Sequence, residues 1–335
     1  MRAINRIGKA RLVAVLVVGA AAIALPYVVP NYYVTLISLV LISAMLASSI
    51  NMLAGDAGLV SLGHAGIATA AGYGLAWSST QGYDVWVQLA VAAVLALASS
   101  VVYALISMKT NGIYFLMVTL AAGMVFYGIA FRWSSVTGGD NGLTGIRRPT
   151  LFAEYWQFYF VVAVLFVLLT FALIRVSHSP FGLVLRGIRD SESRMRSLGY
   201  NVPAYKFFAV LLSGLVAGLA GVLLVWHAEF ISPSSADFLH SALPMVMVVL
   251  GGLGTVMGPL VGATIVLAFS QVLSSHFERW QTVLGVLFIA AVILAPEGLV
   301  QGLRGALAKF RRSAQSPDDF GVAPARANTT TTEGS

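Results

Sequence analysis

The residues best equipped for chemistry in this chain are five histidines: His64, His178, His227, His240 and His276. No two of them share a helix face at metal-ligand spacing, and there is no cysteine to complete a metal set or form a disulfide. The phosphate loop G-x-x-x-x-G-K-[ST] is absent, so ATP hydrolysis by the chain itself is not expected. No serine sits in a nucleophile turn. The ionisable groups within apolar stretches are too sparse for a proton relay. The polar residues at depth in those stretches, Asn51, Ser61, His64 and Thr119, suit the recognition of a passing solute better than catalysis. His64 reads as a hydrogen-bonded packing residue ahead of a ligand.

These residues must be positioned by elements of an unusual kind. Of 335 residues, 58% are hydrophobic and only 10% are charged, against about 25% charged in a soluble domain. From Leu12 to Met108 the ionised residues are Asp56 and Asp84, apart from which that whole stretch is uncharged. A helical crossing of a hydrocarbon layer about 30 Å thick needs roughly 20 apolar residues, and a helix satisfies its own backbone there. Strands in strict alternation, as a membrane barrel requires, are not seen. The expected fold is all-α, a polytopic membrane helical bundle of about 8–10 transmembrane segments. Ten apolar stretches qualify: roughly 12–29, 33–54, 57–77, 85–107, 113–131, 158–175, 207–228, 241–254, 257–275 and 281–296. The third, eighth and ninth are rich in glycine and are expected to be broken or re-entrant.

Charge placement orients the bundle. With a cytoplasmic N-terminus and ten crossings, every Lys and Arg except Arg132, Arg147, Arg148 and Arg279 falls on the cytoplasmic side. The net charge of +7 is thus a membrane-topology signal, and nucleic acid is not an expected partner. Residues 1–11 form a basic cytoplasmic N-terminus, with an uncleaved first helix favoured over a signal peptide. Residues 12–297 form the membrane domain, with an external loop at 132–157 and a cytoplasmic loop at 176–206. Residues 298–335 form a cytoplasmic tail, disordered from about 313.

The cytoplasmic loop reads as one short helix. Ser179 suits its N-cap, Pro180 its first position and Gly199 a left-handed stop. Phe181, Leu185, Ile188 and Glu192 fall on one face, and Arg186, Arg189, Arg194 and Arg196 occupy the rest. It is either a surface helix held by headgroup charge or a docking helix for a cytoplasmic partner. In the external loop, T-G-G-D-N-G demands turns. It is either a cap on the bundle or a seat for an external protein, with Asp140, Asn141, Arg147 and Arg148 as candidate contacts. Two glycine clusters, Gly55 to Gly72 and Gly251 to Gly262, either pack helices closely or flank a pathway together with Thr255.

Several of these segments resemble the permease subunits of branched-chain amino-acid ABC importers. Ser179-Pro180-Phe181-Gly182, continuing through Leu185-Arg186, Ile188-Arg189-Asp190 and Glu192, is similar to the family's S-P-F-G-x-x-L-R-x-I-R-D-x-E. Gly58 to Ala65 looks like its G-L-x-S-L-G-H-A, and Gly112 to Phe115 like its G-I-Y-F. Thr137 to Ile146 resembles T-G-G-x-x-G-L-x-G-I. Gly251-Gly252-Leu253-Gly254-Thr255 with Gly258-Pro259 resembles G-G-x-G-T-x-x-G-P. The resemblance covers about Tyr33 to Leu299. The glycines after Gly63-His64-Ala65 are displaced from the family pattern, and Met124 stands where relatives often carry Gln or Glu.

The resemblance implies a permease subunit passing leucine, isoleucine or valine from an external substrate-binding protein. It also implies a second homologous permease subunit and two cytoplasmic ATPase subunits, which would bind the ATP; the chain itself would hold no cofactor. Phe181 to Gly199 would dock in a groove of an ATPase subunit. Asn51, Ser61, His64, Thr119, Gly251, Gly252, Gly254 and Thr255 would border the pathway. Permeases for urea and short-chain amides share much of the pattern. From other classes, an intramembrane enzyme or an autonomous channel or secondary transporter remains as an alternative reading.

Overall fold

The computed structural model describes residues 26–27, 29–274, 282–283, 285–286 and 289. The basic N-terminus, the tail, nearly all of the first expected span and most of the tenth lie outside the described residues. Within them the chain is a helical bundle with one two-residue ladder. The helices are α1 (Asn31–Met52), α2 (His64–Thr80), α3 (Val85–Ser107), α4 (Gly112–Arg132), α5 (Tyr155–Ser177), α6 (Pro180–Asp190), α7 (Glu192–Ser197), α8 (Val202–Ala228), α9 (Phe238–Gly251) and α10 (Gly258–Ser274). A single helical turn, Ser134–Thr137, follows α4.

Local chemistry marks most helix starts. Asp84 accepts a hydrogen bond from the Trp86 N–H, Asn201 from Ala204 and Asp237 from His240. Glu154 and Gln157 form a reciprocal box at the start of α5. The helix α1 runs on through a π-helical turn, Leu53–Ala57, which Gly58 closes at φ 67°. Among the described residues five helices are long and apolar enough to cross a membrane: α1 with its π-turn, α3, α4, α5 and α8. The helices α9 and α10, with 14 and 17 residues, fall short of the roughly 20 that a full crossing takes. The third expected segment begins irregularly, and its helix opens only at His64.

With no water to drive burial, helices in hydrocarbon associate through small residues that let backbones approach. The central trio α2, α3 and α8 follows that rule. Gly214 of α8 faces Ser100, Gly218 faces Ala96, and Gly221 lies over the Ala68 carbonyl. Serines within the helices donate to carbonyls three or four residues back, as Ser38, Ser78, Ser100 and Ser107 do, so each hydroxyl is satisfied without water. The helix α1 packs against α5, α8, α9 and α10. By contrast α5 presents Val164, Val167, Leu168 and Phe171 outward.

Candidate functional site

Two assemblies gather the chemistry-bearing residues at opposite ends of α8, which at 27 residues is about 40 Å long.

At the Lys206 end, the loop helix expected as one element is two. Ser179 accepts from the Gly182 N–H and Pro180 opens α6, as the spacing indicates. The helix then breaks at Ser191, whose backbone is extended and whose hydroxyl caps α7 by accepting from the Arg194 N–H. Gly199, at φ 87°, follows α7 rather than α6. The break swings Glu192 off the Phe181 face and onto Lys206. The ammonium of Lys206, 1% exposed, lies 2.7 Å from Glu192 Oε2 and also donates to Asn111 Oδ1 and the Thr110 carbonyl. Burial pushes the Glu192 carboxyl up, but hydrogen bonds and charge from Lys206 and Arg196 outweigh it and hold the group below its ordinary value. Leu185 and Ile188 are buried, and Phe181 stacks on Tyr205 at 5.7 Å. Leu183 and Leu198 instead carry the exposed apolar surface of this loop, at 61% and 66%.

Two arginines tie α6 to the π-turn of α1. Arg186 donates to Asp56 Oδ1 at 3.0 Å and to the Ser177 carbonyl at 2.8 Å, and the Ser177 hydroxyl donates to the same carboxylate at 2.9 Å. Arg189 donates to the Gly55 carbonyl, while Asp190 is exposed beside it. The π-turn in turn meets the α9–α10 hairpin. A Cβ on Gly55 would stand 2.6 Å from the Gly254 Cα. Asn51 clamps the hairpin with both ends of its amide: Nδ2 donates to the Thr255 carbonyl at 3.0 Å, and Oδ1 accepts from the Gly254 N–H at 2.8 Å. Thr255 closes the turn by donating to the Gly252 carbonyl. Continuous contacts thus run from α6 through residues 55 and 56 to the turn that begins at Gly251 and Gly252.

His64 lies deeper, and both its nitrogens are occupied. The Ser213 hydroxyl donates to the Ser49 carbonyl at 2.6 Å, so it must accept from His64 Nε2–H, also at 2.6 Å. His64 Nδ1 then accepts from Ser61 Oγ–H at 2.9 Å. This chain of bonds joins α2, α8 and α1. Thr119 Oγ1 accepts from the Leu62 N–H and donates to the Leu116 carbonyl. Ser61, His64 and Thr119 therefore brace the irregular stretch before α2, whereas Asn51 and Thr255 belong to the hairpin clamp.

At the other end of α8, the loop resembling T-G-G-x-x-G-L-x-G-I joins the segment after α8. Strands β1 (Leu143–Thr144) and β2 (Phe230–Ile231) pair antiparallel, with Leu143 opposite Ile231. Gly142, at φ 67°, passes so close that a Cβ would stand 2.1 Å from the Ile231 carbonyl, which excludes any side chain there. Asp140, Asn141 and Arg147 are exposed. Arg148 turns inward: its side chain is 6% exposed, donates to the Trp226 and His227 carbonyls at 2.7 and 3.0 Å, and stacks over the Phe158 ring. A cation on the last carbonyls of a helix also suits the helix dipole. Beneath β2 lies a cavity of about 360 Å³ between α1, α2 and α8. Among the described residues no group of three or more metal-binding side chains occurs.

Asp56, Leu183 and Ser213 enter these assemblies with no motif to announce them, although Asp56 stands out as one of two charges in a long uncharged stretch.

Comparison with known proteins follows the same outline. A family model described as branched-chain amino acid transport system / permease component matches residues 32–295. The chain is 29% identical over 317 residues to the high-affinity branched-chain amino acid transport system permease protein LivM of Escherichia coli, covering 86% of this chain and 74% of that one. It is 26% identical over 196 residues to the probable branched-chain amino acid transport permease protein LivH of Methanocaldococcus jannaschii, covering 54% and 62%. It is also 28% identical over 142 residues to the fructose import permease protein FrcC of Rhizobium meliloti, covering 40% and 39%. No solved structure matches the chain significantly.

Proposed function

This chain belongs to the branched-chain amino acid transport system permease family, and from that premise we propose that it is the membrane-spanning subunit through which an ATP-driven importer passes leucine, isoleucine and valine. It is a multi-pass membrane protein. The Lys206 end faces the cytoplasm, as do both termini, and the β1–β2 end faces outward in the cytoplasmic membrane. Two ATPase subunits bind the ATP, a second homologous permease completes the pathway, and an external binding protein delivers the substrate. The chain itself carries no cofactor and catalyses no reaction.

The observation that carries this reading is the contact chain from α6 to the α9–α10 hairpin. A partner pressing on Leu183 and Leu198 moves α6. Arg186 and Arg189 pass that motion to Asp56 and Gly55, whose backbone bears directly on Gly254. Asn51 makes the hairpin follow, because its amide holds the turn by two hydrogen bonds. A ligand or nucleotide on the partner can then bias the hairpin between two positions. The relative named for fructose import shows that this sequence pattern accompanies more than one substrate class. Leu39, Leu46, Leu224 and Val225 give the cavity beneath β2 a broad aliphatic wall, which suits a branched aliphatic side chain.

The test uses the whole importer. An exposed apolar anchor dominates a docking interface, while surrounding charges chiefly steer. Leu183→Asp should abolish co-purification of the ATPase subunits and substrate-stimulated hydrolysis, and Arg194→Ala should change both little. Wild-type values for both readouts in Leu183→Asp would remove α6 from the coupling path.

A further inference from the structure

We propose that the cavity beneath β2 is a receiving site for one branched aliphatic amino acid, held with its side chain toward the middle of the bundle and its charged head group at the rim. This rests on the transport reading above. The volume, about 360 Å³, lies at the small end of ligand-sized pockets. Its deep wall is built from Leu46, Ala65, Ala68 and Val225, all buried and all aliphatic. Ala65, Ala68 and Thr69 repeat at the spacing that brings side chains to one face of α2, and their small size is what makes room for the cavity. An aliphatic side chain seated against that wall would take apolar surface out of water, which is favourable.

The rim has the opposite character. Ser232 and Ser234 lie with hydroxyl oxygens 2.7 Å apart, and Ser235 stands beside them on the same loop. Hydroxyls accept from an ammonium and donate to a carboxylate, so they serve both ends of a zwitterion. His227 also lines the cavity, its Nδ1 enclosed by protein atoms rather than open to the space. Urea lacks the apolar part to fill the deep wall, and a sugar lacks the aliphatic surface.

The roof couples this site to delivery. Phe230 and Ile231 pair with the loop that carries exposed Asp140 and Asn141, and Arg148 of that loop holds the His227 carbonyl. A protein seated on the loop therefore presses on the strand and the histidine that border the cavity.

The experiment reconstitutes the complete importer in proteoliposomes and measures radiolabelled leucine transported per ATP hydrolysed. Thr69→Leu fills the cavity and should lower that ratio by about tenfold or more, the scale for excluding one aliphatic group from a pocket. The double variant Ser232→Ala with Ser235→Ala strips the rim at partly exposed positions where folding is not at stake. It should lower the ratio by about three- to tenfold, the scale for one or two lost hydrogen bonds. Ratios within twofold of wild type in the rim variant, whatever Thr69→Leu does, overturn the site. A wild-type importer that moves no leucine, isoleucine or valine fails the transport reading instead, so the two failures are distinct.

Discussion

At the Lys206 end, Asp56, Arg186, Arg189, Glu192 and Lys206 converge where four helices end, and each finds a partner fixed within 3.5 Å. At the β1–β2 end a single inward charge, Arg148, satisfies carbonyls at the end of α8, while a cavity and three serines lie beside it. Both ends hold a pocket, of about 340 Å³ at the Lys206 end and about 360 Å³ beneath β2, but the first is lined by paired charges and the second mainly by aliphatic side chains and hydroxyls. Saturated ion pairs and backbone contacts transmit displacement without absorbing it, because packed groups shift between discrete arrangements. A pocket with an aliphatic wall and a hydroxyl rim is able to accept an amphipathic solute. The contrast assigns force transmission to the first end and reception to the second.

That contrast breaks first at Glu192. Its replacement by Ala leaves Lys206 buried without a countercharge, a loss of about 3–5 kcal/mol for a buried pair. Thermal unfolding of the purified protein should show a large drop, and adding Lys206→Met should recover much of it. If the single and double variants are equally unstable, the pair is not what holds α7 to α8. A somewhat smaller effect is expected at Gly55→Val. The new side chain meets the Gly254 backbone, and overpacking of this kind costs about 1–3 kcal/mol. Because that contact lies in the proposed path of motion, leucine uptake should fall further than protein yield. Equal declines in yield and uptake would mean that the contact is packing alone.

Arg148→Ala probes the other end. Losing two charge-assisted bonds to carbonyls at the end of α8 should cost about 2 kcal/mol. The segment after α8 should then exchange its amide hydrogens faster, while the α6–α7 loop keeps its protection. Faster exchange in both regions would show that the two ends are not separate cooperative units. The smallest effect is in pH. The carboxyl of Glu192 is held below its unfolded value of 4.5. Its contribution is therefore fully present above that value and is lost as pH falls through the lowered folded value. Proteolysis between α6 and α7 should accelerate over that acid range in the wild type and stay level in Glu192→Gln.

Local chemistry was legible in the sequence because it depends on neighbours along the chain. Hydropathy located α3, α4, α5 and α8 to within a few residues at most ends, and Ser179 with Pro180 marked the start of α6. The same reasoning took α6 and α7 for one helix. The amphipathic period runs through Ser191, and only the capping bond to Arg194 with the pull of Lys206 on Glu192 turns the chain there. The spacing puts Phe181 on one face with Leu185 and Ile188, and only the fold brings Tyr205 alongside to stack on it.

What the sequence by itself determined was the class of solvent, the place of α3, α4, α5 and α8 and the points where glycine and proline punctuate the chain. These follow from composition within windows of about 20 residues. The tertiary structure alone decided that Asn51 would hold Gly254, 203 positions away, that Arg148 would turn inward to cap α8, and that Ala65, Ala68 and Val225 would line one cavity. Each depends on which helices lie side by side and at what height. That is set by small-residue contacts summed over the whole bundle, and no local window contains both partners.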